Sequence, residues 1–136
     1  MTPLVFAESL VAAFAASDAS AYFAHFHPRA TFLFHDTRQR LESRAEYEAL
    51  WADWERTDGF RVLACESTEQ RVQDYGELAV FTHTVRTRRV VAGEEEELFE
   101  RETIVLSRDG DRWTCVHEHL SPDPRATQAP TPPEPS

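Results

Sequence analysis

Lysine and asparagine are both missing from the 136 residues, and each absence removes a class of chemistry. Without Lys there is no Schiff-base nucleophile and no phosphate-loop ammonium, so all 14 basic side chains are Arg. Without Asn there is no N-glycosylation acceptor. Cysteine is scarce too: Cys65 and Cys115 are too few for a disulfide framework and read as small buried hydrophobes in a reducing compartment. No apolar run approaches the roughly 20 residues of a membrane span, and Met1 to Ala16 lacks the basic leading segment of a secretory signal. A cytoplasmic protein with no membrane partner is the expectation. Positive charge is in deficit, with 24 acidic residues against 14 basic and a formal net charge of -10. Such a surface repels phosphate backbones, so nucleic acid is not an expected partner.

What is present suits one folded domain, because 41% hydrophobic and 28% charged residues are an ordinary globular balance. Leu4, Val5, Leu10, Val11 and Phe14 recur at helical spacing and predict a helix over Leu4 to Ala16, with Pro3 suited to its first turn. Ser17 and Asp18 offer caps for a second, short helix carrying Tyr22, Phe23 and Phe26 and stopped by Pro28. Ala30 to His35 reads as a strand. Ala45 to Arg56 returns to helical spacing, with Tyr47, Leu50, Trp51 and Trp54 on its apolar side.

Glycine, present only four times, falls at Gly59, Gly76, Gly93 and Gly110, each in a polar cluster between apolar segments. These turn markers predict a meander of four antiparallel strands: Phe60 to Val72, Leu78 to Val91, Glu97 to Arg108 and Arg112 to Ser121. The Glu94 to Glu97 run reads as a solvated hairpin tip. Pro122 to Ser136 holds six of the eight prolines and is expected to be a disordered tail after a domain spanning residues 1–121. Helices followed by long strands give the α+β class: a curved antiparallel sheet closing as a cone over N-terminal helices on its concave face. The open end of such a cone is a pocket for a small molecule.

The segment D-G-D-R-W-T-C-V-H-E-H-L-S, Asp109 to Ser121, resembles the closing strand of SnoaL-like domains in the nuclear transport factor 2-like superfamily. The preceding order agrees, with A-A-S-D at Ala15 to Asp18, A-T-F-L-F at Ala30 to Phe34 and G-E-L-A-V at Gly76 to Val80. Ser43 departs from the usual Gly before the third helix. The resemblance implies a cone-shaped fold, frequently dimeric through the outer sheet face, that hosts isomerases, dehydratases, cyclases, hydrolases and non-enzymatic modules. Positions matching the Tyr donor and Asp base of ketosteroid isomerase are Leu10 and Phe34, which cannot do that chemistry. The last strand is also similar to the association domain of calcium/calmodulin-dependent kinase II, an assembly and ligand-binding module.

Ala79, Phe81, His83 and Val85 share one strand face opposite Thr82, Thr84, Arg86 and Arg88, which turns His83 into the cone as a candidate base or donor. Its alternative is a buried His satisfied by a neighbouring carboxylate or hydroxyl. On the last strand, Trp113, Cys115, His117 and His119 alternate with Thr114, Val116, Glu118 and Leu120, and periodicity does not choose between two half-apolar faces. The kinase-domain resemblance implies that Glu118 and Leu120 look inward, leaving His117 and His119 as a subunit contact. Glu102, beside Ile104, would be drawn into an apolar interior and could pair with His83 as an acid/base couple. The catalytic candidates are thus His83, Glu102 and Glu118. Tyr47, Trp51, Phe81 and Val85 are candidate walls for an apolar small molecule. Paired imidazoles at His117 and His119 lack a dictated third ligand, so neither metal nor other cofactor is expected. Two readings follow: a cofactor-free isomerase, dehydratase or hydrolase, or a non-catalytic homodimeric assembly or accessory domain.

Overall fold

The computed structural model describes residues 1–127. Helix α1 spans Pro3–Ala15, with Thr2 accepting from the Val5 amide as its cap, and α2 is the short Ala19–Phe23 turn capped by Asp18. Strand β1 (Phe26–Phe34) and helix α3 (Arg44–Asp58) follow. Ser43 caps α3 by accepting from the Glu46 amide, so the Ser in place of Gly serves the helix start. Gly59 ends α3 in the left-handed region at φ 60°. The meander is β2 (Arg61–Asp74), β3 (Leu78–Val91), β4 (Glu94–Asp109) and β5 (Arg112–Pro122), and a turn α4 (Pro124–Thr127) follows.

The five strands form one curved sheet in the order β1-β5-β4-β3-β2. All meander pairings are antiparallel, as their short turns require, but β1 joins the sheet parallel to β5. Three local expectations change. Phe26 opens β1 instead of extending α2, and Pro28 lies within that strand; an edge strand tolerates a missing N–H, and the β1 register breaks there, between Phe26 and Thr31. The β3–β4 hairpin tip is Ala92 and Gly93, with φ 54° and 79°, the two left-handed residues of a tight hairpin turn. Glu94 to Glu97 belong to β4 and face the Arg-rich end of β3, where Glu96 accepts from Arg89 at 2.6 Å and Glu97 from Arg86 at 3.0 Å. Lastly, order continues past Ser121: Asp123 is buried and Arg125 bonds both Asp123 and Glu69. The rest of the expected tail, 128–136, lies outside the described residues.

The helices cover one face of the sheet. Leu10 of α1, Tyr22 and Phe23 of α2, and Tyr47 and Trp51 of α3 pack onto Phe26, Phe32, Phe81, Ile104, Leu106 and Cys115 of the strands. Alternation on β3 buries Ala79, Phe81, His83, Val85 and Thr87 on that side. None of the described helices is long and apolar enough to cross a membrane.

Candidate functional site

Each strand of the meander contributes one polar side chain to a row across the helix-covered face: Ser67 from β2, His83 from β3, Glu102 from β4 and Glu118 from β5. Regular β3–β4 pairing sets His83 directly opposite Glu102, and the His83 Nε2 lies 2.6 Å from Glu102 Oε1. Its other ring nitrogen, Nδ1, lies 2.6 Å from Ser67 Oγ, to which Gln70 Nε2 donates at 2.9 Å. A β-bulge between Thr68 and Arg71 holds Glu69 at φ 53° and brings Gln70 back towards Ser67.

The last strand reaches the row by changing face. Cys115 pairs with Leu106 and His117 with Val105, so Val116 is an extra residue without a ladder partner. Before this bulge Trp113 and Cys115 point inward; after it Glu118 and Leu120 do. That is why both alternating sets carry an apolar half. Glu118 is 1% exposed and lines the same cavity as Glu102, with which it interacts electrostatically.

Two tyrosines close the row from the helices. Tyr22 of α2 donates to Glu118 Oε1 at 2.8 Å, and the Tyr47 hydroxyl of α3 lies 3.1 Å from that of Tyr22. Because Tyr22 spends its hydrogen on Glu118, Tyr47 donates to Tyr22. Burial pushes both phenols further up, with the Glu118 charge adding to it, and they stay protonated donors.

Burial, followed by the repulsion of Glu102, holds Glu118 well above the usual carboxylate range. Burial raises Glu102 to about 7, against the lowering effect of its hydrogen bond from Glu118. Two neighbouring buried carboxyls cannot both ionise cheaply, so the ionisation of one opposes that of the other. Burial pushes His83 down to about 4, so its imidazole is neutral and carries one N–H.

A cavity lies above the pair. Its space for small solvent is about 60 Å³, within a concavity of about 640 Å³ of empty space that includes the open mouth. Glu102, Glu118, Tyr22 and Tyr47 line it with Leu10, Phe14, Phe34, Trp54, Phe60, Val85 and Leu120. Nearer the mouth Glu100 accepts from His35 Nε2 at 2.5 Å, while Arg89 reaches Asp36 at 3.5 Å and Glu96 at 2.6 Å. Burial raises Glu100, and the His35 contact opposes that rise.

Of the candidate residues, Glu102, Glu118, Tyr47 and Val85 meet at this cavity. His83 turns inward but does not line it; its ring nitrogens meet Ser67 and Glu102, and Glu102 carries the contact to the cavity wall. Trp51 and Phe81 are no part of the wall either. The Trp51 indole is wedged edge-on against Phe60 at 4.9 Å, and Phe81 is fully buried against the His83 ring at 4.7 Å. On the outer face, His117 Nδ1 lies 2.8 Å from Thr31 Oγ1, and its ring stands edge-on to the exposed His119 at 6.3 Å. Leu10 and Phe34 do line the cavity, and their apolar side chains leave its polar work to other positions.

Sequence reasoning missed Tyr22, Ser67, Glu100 and His35. Tyr22 sits in an aromatic helix face that reads as core. Its hydroxyl, a polar group that needs a partner when buried, was the available signal.

No curated protein matches the chain. Solved structures share its fold at low identity. An NTF2-like protein of unknown function in nutrient uptake from Rhodospirillum rubrum has a TM-score of 0.76 at 18% identity, over 90% of this chain and 99% of that one. A putative scytalone dehydratase from Novosphingobium aromaticivorans has a TM-score of 0.74 at 10% identity, over 88% and 80% of the two chains. A ketosteroid isomerase-like protein from Erwinia carotovora atroseptica has a TM-score of 0.72 at 18% identity, over 88% and 92%. The SnoaL-like domain family matches residues 5–124, nearly all of the described chain, and the protein belongs to that family, on the nuclear transport factor 2-like fold that the solved structures share.

Proposed function

We propose that this chain binds a compact, mostly apolar small molecule over the Glu102–Glu118 pair and performs cofactor-free acid/base chemistry on it, as an isomerase, dehydratase or hydrolase. The observation that carries the reading is two carboxyls, Glu102 and Glu118, lining one apolar-walled cavity, both raised by burial. Such a pair supplies one carboxylate to accept a proton and one carboxylic acid to donate one. Glu102, ionising near neutrality, is the base. Glu118 is the acid, and Tyr47, at the cavity end of the donor chain, can turn its hydroxyl onto an oxygen of the bound molecule.

The surroundings select the ligand. Asp36, Glu100, Glu102 and Glu118 line the cavity with Arg89, and Arg89 is engaged by Asp36 and Glu96. An anion would meet repulsion there, whereas a neutral carbonyl, alcohol or phenol meets apolar walls and hydrogen-bonding groups. The putative scytalone dehydratase and ketosteroid isomerase-like neighbours are in keeping with such chemistry on this fold.

The test is a thermal-shift and calorimetry screen of compact neutral ketones, alcohols and phenols against matched carboxylates. Stabilisation by neutral compounds, lost when Leu10→Trp fills the cavity of a still-folded protein, is expected. No binding by neutral compounds, or equal binding by Leu10→Trp, overturns the reading.

The narrowness of the cavity favours a second reading, a homodimeric assembly or accessory domain in the cytoplasm whose working surface is the outer face around His117 and His119. A concentration-dependent dimer by light scattering that His119→Ala dissociates would support it.

A further inference from the structure

The pair is built from two carboxyls of the same type, yet their partners differ, and the difference traces to a residue at the sheet edge. Glu102 is met by an imidazole and Glu118 by a phenol. A phenol that stays protonated always offers O–H. An imidazole offers N–H or a lone pair, depending on its tautomer. The identity of the basic carboxyl therefore depends on which nitrogen of His83 carries the hydrogen.

We propose that Ser67, oriented by Gln70, is a positioning residue that locks neutral His83 in its Nε2–H tautomer and thereby makes Glu102 the proton acceptor of the pair. This rests on the acid/base reading of the cavity and names what polarises it. Gln70 donates an N–H to one lone pair of Ser67 Oγ and so orients the hydroxyl, whose hydrogen is free to point at His83 Nδ1, 2.6 Å away. With Nδ1 accepting, the ring's hydrogen sits on Nε2 and is donated to Glu102 Oε1, 2.6 Å away. Glu102 then receives the imidazole N–H, while the neighbouring Glu118, which burial keeps protonated, accepts from Tyr22. Every donor from Gln70 to Tyr47 finds an acceptor. The opposite tautomer turns a lone pair onto Glu102, which must then hold a proton itself and is no longer the base of the pair. Ser67 never touches the cavity; it acts two residues away, from edge strand β2.

The experiment is histidine-nitrogen NMR on uniformly labelled protein at about pH 8, combined with carboxyl-carbon titration of Glu102. Wild type should show His83 as the Nε2–H tautomer. Ser67→Ala should mix or reverse the tautomers and move the Glu102 midpoint up by about one pH unit, since a carboxylate that loses a hydrogen bond ionises less readily. Ser67→Thr, which keeps the hydroxyl, should restore both signatures. An Nδ1–H tautomer in wild type, or unchanged tautomer and midpoint in a folded Ser67→Ala protein, overturns the proposal. Neither readout requires a ligand, so it can fail while the binding screen succeeds, and the reverse.

Discussion

Glu102 and Glu118 are diagonal neighbours on the β4–β5 ladder: Glu102 faces Leu120 and Glu118 faces Ile104, and both side chains line one cavity. Diagonal positions lie about 7–8 Å apart at the backbone, within reach of two Glu side chains. Burial raises both groups, and the repulsion of Glu102 adds to the rise of Glu118, so the stability of the fold must follow their titration.

Above about pH 6.5 the sign is unambiguous. Glu102, near 7 when folded against an ordinary value near 4.3, binds its proton more tightly in the native state, so stability falls as pH rises through the folded value. Glu118 and Glu100 shift the same way. His83, lowered to about 4, adds stability between about pH 4 and 6.5 and has nothing left to add above that. Urea unfolding should show stability declining by about 1 kcal/mol or more from pH 6.5 to 8. A flat or rising profile would contradict the buried pair.

Glu118→Gln should soften that decline. The amide can donate to Glu102 and accept from Tyr22, as the protonated acid does, but carries no charge to repel Glu102 at alkaline pH. The variant should match wild type near pH 6 and exceed it at pH 8 in melting temperature. Loss of stability at both pH values would show that the side chain's partners are other than these.

Removing the hydroxyl with Tyr22→Phe leaves Glu118 Oε1 without its donor in a buried site. The expected cost is about 1–3 kcal/mol in denaturant unfolding. Tyr75→Phe on the exposed surface is the control and should change nothing measurable.

Trp51→Phe separates packing from recognition. Trp51 Nε1 is, among the described residues, the buried side-chain polar atom lacking a hydrogen-bond partner. The smaller ring loses contacts yet removes that orphaned donor, and the two effects oppose. A net change below about 1.5 kcal/mol is expected, with ligand affinity unaltered because the indole lies outside the cavity wall. A tenfold loss of affinity would return Trp51 to the site.

Much of the architecture was legible in the chain. The even spacing of Gly59, Gly76, Gly93 and Gly110 set the meander, because left-handed turn residues have few alternatives to glycine. Alternation on β3 turned His83 inward, and Glu102 followed from regular antiparallel pairing. Phe26 and Pro28 were less readable, since an edge strand accepts a proline that would otherwise signal a break.

Composition and periodicity by themselves determined one α+β domain, its long back-half strands and the polar residues available to a buried site. They could not determine the face of Glu118. One unpaired residue, Val116, carries β5 from one alternation to the other, and a bulge is a property of pairing between distant strands. The tertiary structure also decided that Tyr22 and Ser67 join the row, because hydrogen bonds that span 96 and 16 residues of chain depend on where folding sets the partners.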